Sequence, residues 1–96
     1  MNMVMIICPE ARQEEVRTLI DRHKVHAYTE LPQVLGAGAT GRHMGTHTWP
    51  GASTLIFTVV EKNKTAELMA ALKEFQSKLY PSEGLKAFVM PVESSI

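Results

Sequence analysis

A glycine-rich segment contains the first candidate residues for binding a ligand. Gly36, Gly38 and Gly41 follow the pattern G-x-G-x-x-G, in which glycines allow a tight turn and a close approach of the backbone to pyrophosphate. Arg42 follows where the P-loop pattern has lysine. Residues 43–50 do not predict the helix that both motifs require, so we exclude a Rossmann or Walker site. Two interpretations stay open: a loop that presents N–H groups and one arginine to an anion, or a loop whose glycines provide only conformational freedom.

The same segment contains two histidines that could bind a metal. His43 and His47 have the spacing H-x₃-H, which would place both on one divalent ion if the segment were helical. Gly45 disfavours a helix, and a zinc site needs a third ligand. The alternative is that both histidines are solvated. The candidates for a third ligand are Cys8, His26 and Glu30.

No set of residues predicts an enzyme. The acidic pairs Glu14/Glu15 and Glu61/Glu67 have the pattern of solvated charges rather than of an acid/base pair. Cys8 ends an apolar run, where a cysteine is typically a small core residue and not a nucleophile. We therefore expect a protein without catalytic activity.

Composition restricts the class of protein further. The 96 residues are 45% hydrophobic and 21% charged, which predicts one folded domain over residues 1–96. Lys+Arg and Asp+Glu both number ten, and this balance argues against nucleic-acid binding, which needs clustered positive charge. No apolar run is long enough to span a membrane. The single cysteine fits a reducing cytoplasm.

The periodicity of apolar residues predicts the secondary structure around these candidate residues. Alternating or continuous apolar runs indicate strands, and apolar residues spaced by three and four indicate helices. The order is β-α-β-β-α-β, which predicts a ferredoxin-like α+β fold with two helices on one face of an antiparallel sheet. The predicted strands are residues 3–8, 25–31, 53–61 and 85–92, the helices are residues 10–24 and 65–80, and Asn63 or Thr65 is the expected N-cap of the second helix.

Two features of this predicted fold concern function. The predicted strands are apolar on both faces, as Met5, Ile7, Ile56 and Val60 illustrate, so we expect neighbouring subunits to cover the face without helices. The segment 33–52 has no regular period, and loops of this length are commonly functional.

Residues 83–93, E-G-L-K-A-F-V-M-P-V-E, resemble the closing strand of the PII signal-transduction family. Thr29-Glu30-Leu31 followed by Gly36 and Gly38 is similar to the start of the long T-loop of that family. Residues 3–23 fit its first strand and helix. The resemblance therefore covers almost the whole chain, with the same order of elements.

The resemblance implies a homotrimer that binds a small effector, such as an adenine nucleotide, in clefts between subunits. The T-loop-like segment, at about residues 33–52, would report the ligand state to a transporter or an enzyme. By the same resemblance Lys86 is the lysine that contacts phosphate, Gly84 belongs to the phosphate loop, and Gly36 and Gly38 form the base of the T-loop.

A second family keeps a metal-linked role open. The copper-tolerance CutA proteins share the trimeric PII architecture. The alternative function is therefore a divalent-metal-binding or metal-responsive trimer that uses His43 and His47.

Overall fold

A four-stranded antiparallel sheet with two helices forms the fold. The computed structural model describes residues 1–38, 41–43, 52–81 and 83–96. Its sheet has the strand order β2-β5-β1-β6, and β3 and β4 form a separate two-stranded pair. The ferredoxin-like βαββαβ fold is confirmed. The strands are β1 (Asn2–Pro9), β2 (Thr29–Val34), β3 (Gly36–Gly38), β4 (Gly41–His43), β5 (Ser53–Val60) and β6 (Lys86–Pro91), and the helices are a 3₁₀ turn (Glu10–Arg12), α1 (Gln13–Arg22) and α2 (Lys62–Ser77).

The hydrophobic core lies between the helices and one face of the sheet. Alternate residues of the two central strands, β1 and β5, point into it because side chains alternate along a strand. Fully burying one such aliphatic side chain contributes roughly 1.5–3 kcal/mol. The buried core residues of these strands and of the helices include Val4, Ile6, Cys8, Val16, Ile20, Ile56, Val60, Leu68 and Leu72.

The opposite face of the sheet, which we call the open face, is also apolar. The strand register gives the rows of side chains that run across this face, perpendicular to the strands. Met5 pairs with Phe57 and Phe88, and Ile7 pairs with Leu55 and Lys86. The expectation of two apolar faces is confirmed for β1 and β5. Of the residues that illustrated it, Met5 and Ile7 lie on the open face, whereas Ile56 and Val60 are buried under the helices. The open face consists of Met3, Met5, Ile7, Thr29, Leu31, Leu55, Phe57, Val59, Lys86, Phe88 and Met90.

The second strand differs from its prediction at both ends. It begins at Thr29 instead of residue 25, and it continues through Pro32 to Val34. Proline is tolerated there because β2 is an edge strand of the sheet. The pairing with β5 is irregular between Leu31 and Val34, and Gln33 adopts a left-handed backbone with φ of 57°. The proline therefore interrupts the ladder without ending the strand.

Part of the glycine segment is regular, which its lack of periodicity did not predict. Gly36 pairs with His43, and Gly38 pairs with Gly41. Three-residue strands are too short to leave a period in the sequence.

Both helices also begin differently from the prediction. The first starts with a 3₁₀ turn over Glu10–Arg12. The second starts at Lys62 with Glu61 as its N-cap and ends at Ser77, so neither predicted N-cap is correct. Thr65 lies inside the helix, where its hydroxyl donates to the Glu61 carbonyl at 3.1 Å. Neither helix in the described ranges is long and apolar enough to cross a membrane.

Candidate functional site

One hairpin gathers most of the residues predicted from the glycine pattern. The pairing of β3 with β4 sets Gly36 opposite His43, Ala37 opposite Arg42 and Gly38 opposite Gly41. A Cβ atom added at Gly36 would meet no other atom within 4 Å, so packing does not require glycine at this position. The hairpin follows β2 after one residue and is therefore tied to that edge of the sheet.

The other predicted residues, Gly84 and Lys86, lie at the opposite edge. β6 is the edge strand next to β1, and β2 is the edge strand next to β5. Lys86, Ile7, Leu55 and Leu31 form one row across the sheet. Three strand spacings separate the ends of this row, or roughly 14 Å between the Lys86 and Leu31 Cα atoms. Within one chain, the two halves of the predicted site thus share one end of the sheet but not one edge.

The loop between α2 and β6 is anchored on both sides of Gly84. On one side, Arg12 donates to both carboxylate oxygens of Glu83, from Nε at 2.8 Å and from Nη2 at 3.1 Å. On the other side, Leu85 is buried in the core, and its carbonyl accepts a bond from Gln76 Nε2 at 2.6 Å. Gly84 is the single residue between these two anchored positions.

The charges around this loop are largely paired. The hydrogen bonds from Arg12, followed by the backbone bond from Tyr80, lower the pKa of Glu83 below its usual value. The pKa of Arg12 is raised in turn, and its Nη1 also donates to Glu15 at 2.9 Å. Lys86 is exposed and lies on the open face beside Ile7. Among the described residues that form this face, it is the only charged one.

The residues proposed as a third metal ligand have other partners or are inaccessible. Glu30 accepts two bonds from Arg17, each at 2.7 Å. His26 Nδ1 lies 2.7 Å from an Asp21 carboxylate oxygen. Cys8 is fully buried; burial, with a smaller effect of the Glu30 charge, raises its pKa to about 11.

The metal hypothesis therefore stays a prediction. His47 lies outside the described residues, and of His43 only the backbone is described. Within the part of the chain that the structure describes, no three His, Cys, Asp or Glu side chains are grouped so that they could hold a metal ion.

The chain matches one known protein family over its whole length. The family described as "Nitrogen regulatory protein P-II" matches residues 1–96. The chain belongs to the PII family. It is accordingly a PII-like regulatory protein. No curated protein sequence matches it.

Solved PII-like structures have the same fold. CPII from Thiomonas intermedia K12, bound to ADP, AMP and bicarbonate, superposes with a TM-score of 0.74 at 21% identity, over 97% of this chain and 88% of CPII. The apo form of CPII gives a TM-score of 0.67 at 20% identity, over 95% and 89% of the two chains. A protein from Thermus thermophilus assigned to PII-like signalling gives 0.68 at 18% identity, over 93% and 83%.

Three residues that anchor the loop between α2 and β6 were missed in the sequence: Arg12, Gln76 and Glu83. Arg12 and Glu83 are 71 positions apart, and no local pattern links them. The one available signal was the acidic residue directly before Gly84, the glycine already assigned to the phosphate loop.

Proposed function

We propose that this PII protein is a homotrimeric sensor that binds an adenine nucleotide between subunits. The observation that carries the proposal is the placement of Gly84 and Lys86 at one edge of the sheet and of the glycine hairpin at the other. A head-to-tail contact that joins the β6 edge of one subunit to the β2 edge of the next would bring the two halves together. Such heterologous contacts form a closed ring when the rotation between neighbouring subunits is one third of a turn.

The open face supports the same assembly. Nine of its eleven residues are apolar, and Phe88 remains 50% exposed in the single chain. Contiguous apolar surfaces of this kind mark interaction sites in soluble proteins. Since Lys86 lies at the rim of this face, contact between copies would put its ammonium group close to the seam.

The chemistry of these residues suits a phosphate ligand. A lysine ammonium group and backbone N–H groups are the usual partners of phosphate oxygens. The PII-like protein CPII was crystallised with ADP, AMP and bicarbonate, which supports an adenine nucleotide as the ligand here. The proposed site comprises Gly36, Gly38, Gly41, Arg42, Gly84 and Lys86.

The output of the sensor would be conformational. We propose that the whole chain is one PII-like domain in the cytoplasm and that residues 33–52 act as its T-loop. Ligand binding would shift the population of shapes of this segment, and a transporter or an enzyme would bind one of those shapes. No chemical step is required, in agreement with the regulatory role of the family.

The first test removes the charge of Lys86. We expect Lys86→Ala to weaken ADP binding about tenfold, because it deletes a charge-assisted bond to phosphate. Isothermal titration calorimetry measures the affinity, with ATP and AMP as further ligands. Lys73→Ala is the matched control, since Lys73 is exposed on α2. Absence of binding of all three nucleotides to the wild-type protein would contradict the proposed function.

A further inference from the structure

We propose that the ion pair between Arg12 and Glu83 is a positioning device that presents Gly84 and Lys86 together to the anionic ligand. The inference rests on the proposed function and adds residues to its site. Neither Arg12 nor Glu83 needs to contact the ligand for this role. They act through the backbone of the loop that leads into β6.

The geometry of the pair restrains the Glu83 side chain. Two parallel bonds, at 2.8 and 3.1 Å, fix the plane of the carboxylate as well as its distance from the guanidinium group. The two side chains are 26% and 18% exposed, so water screens the pair less than it would at the open surface. Arg12 is itself held by its third contact, to Glu15 at 2.9 Å.

The carboxylate in turn restrains the backbone of the loop. Glu83 Oε1 accepts a bond from the Tyr80 N–H at 3.1 Å. The Glu83 N–H donates to the Tyr80 carbonyl at 2.9 Å. Arg12 therefore holds the Glu83 side chain, which closes this turn. Because Glu83 directly precedes Gly84, the same contact restrains the backbone next to the glycine.

The far side of Gly84 is fixed independently. Leu85 is only 3% exposed, and Gln76 bonds its carbonyl at 2.6 Å. Glycine has the widest conformational freedom of any residue and loses the most entropy when it is ordered. Anchors on both sides remove much of that freedom before a ligand arrives, and such preorganisation increases affinity.

The experiment compares ADP affinities of full-length variants by calorimetry. We expect Arg12→Gln to bind ADP about tenfold more weakly than the wild type. Arg12→Lys should bind ADP more tightly than Arg12→Gln, because it keeps a positive charge beside Glu83 and leaves the Glu83 carboxylate in place to accept from the Tyr80 N–H. Glu67→Gln is the control: it removes the charge of the carboxylate that contacts His23 at 2.6 Å and links the two helices, and its ADP affinity should be unchanged.

The outcomes separate this inference from the proposed function. Equal ADP affinity of Arg12→Gln and the wild type would overturn the inference and leave the nucleotide site intact. A wild-type protein that binds no nucleotide would overturn both.

A second variant, Glu83→Gln, tests the same role if Arg12→Gln does not fold. Glu83→Gln leaves the contact of Arg12 with Glu15 in place. Weaker ADP binding by Glu83→Gln at an unchanged melting temperature supports the positioning role. Equal binding overturns it, because the loop would then need no ion pair to bind ADP. Tighter binding also overturns it, because the released Arg12 would then contact the ligand itself.

Discussion

Glu30, at the start of β2, shows how an ion pair changes the pKa of a carboxyl group. Glu30 faces the helices at an edge of the sheet, where Arg17 of α1 donates two hydrogen bonds to it. These bonds lower the pKa of Glu30. Nearby Cys8 shows the opposite influence: burial and the Glu30 charge raise its pKa to about 11, so the thiol stays protonated at neutral pH. Burial confirms Cys8 as a core residue.

The Glu30 pair predicts a loss of stability in acid. A carboxyl group with a lowered pKa in the folded state stabilises that state above its unfolded pKa, and this contribution disappears as pH falls through the folded value. We expect the free energy of unfolding of the wild type to fall as the pH drops below the ordinary glutamate pKa of about 4.3, with a smaller fall for Glu30→Gln. Urea denaturation at each pH measures this. Identical pH profiles of the two proteins would contradict the prediction.

Helix α2 is the element that connects the core to the candidate site. Its apolar side, with Leu68 and Leu72, packs into the core, while Gln76 near its end reaches the Leu85 carbonyl. At the other helix, His23 follows α1 and contacts Glu67 at 2.6 Å. This contact joins the end of α1 to α2, which gives His23 a structural role. The bond from His23 is the main reason for the lowered pKa of Glu67.

The packing of α2 predicts a large cost for a cavity. Leu68 is fully buried, so Leu68→Ala should lower the free energy of unfolding by about 2–5 kcal/mol. Chemical denaturation measures this loss. Met69→Ala is the control, because Met69 is only partly buried beside the core and should cost less. A smaller loss for Leu68→Ala than for Met69→Ala would contradict the described packing.

For the molecule as a whole, the open face is the apolar surface that we expect another subunit to cover. Its rows cross all four strands of the sheet, and Lys86 is the one charge among the described residues that form them. A charge introduced into such a face would be buried on assembly at a high free-energy cost. The proposed trimer therefore depends on this face remaining apolar.

This dependence predicts different effects at two adjacent residues of β6. Phe88 is on the open face and 50% exposed, whereas Val89 is 39% exposed and shares its row with the buried Val4. We expect Phe88→Lys to yield monomers and Val89→Lys to retain the trimer. Size-exclusion chromatography with light scattering measures the mass, against 10.7 kDa for one chain. A monomeric wild type would contradict the trimer.

Local sequence patterns were enough to predict the order of the elements, the central strands and the family. These follow from local periodicity, since β1 and β5 alternate toward a core, and from short motifs such as residues 83–93. The start of β2, the passage of the strand through Pro32, and the β3–β4 pairing were not predicted, because edge position and short pairings leave no period.

The arrangement of the candidate site follows from the folding of the whole chain. It separated Gly84 and Lys86 from the glycine hairpin by the width of the sheet, and it joined Arg12 to Glu83 across 71 positions. Strand order and such long-range pairs arise when the two helices cross over the sheet and close the fold. The spacing of residues along the chain does not predict such long-range pairs, because each residue of a pair has the local sequence of an ordinary charged or polar position.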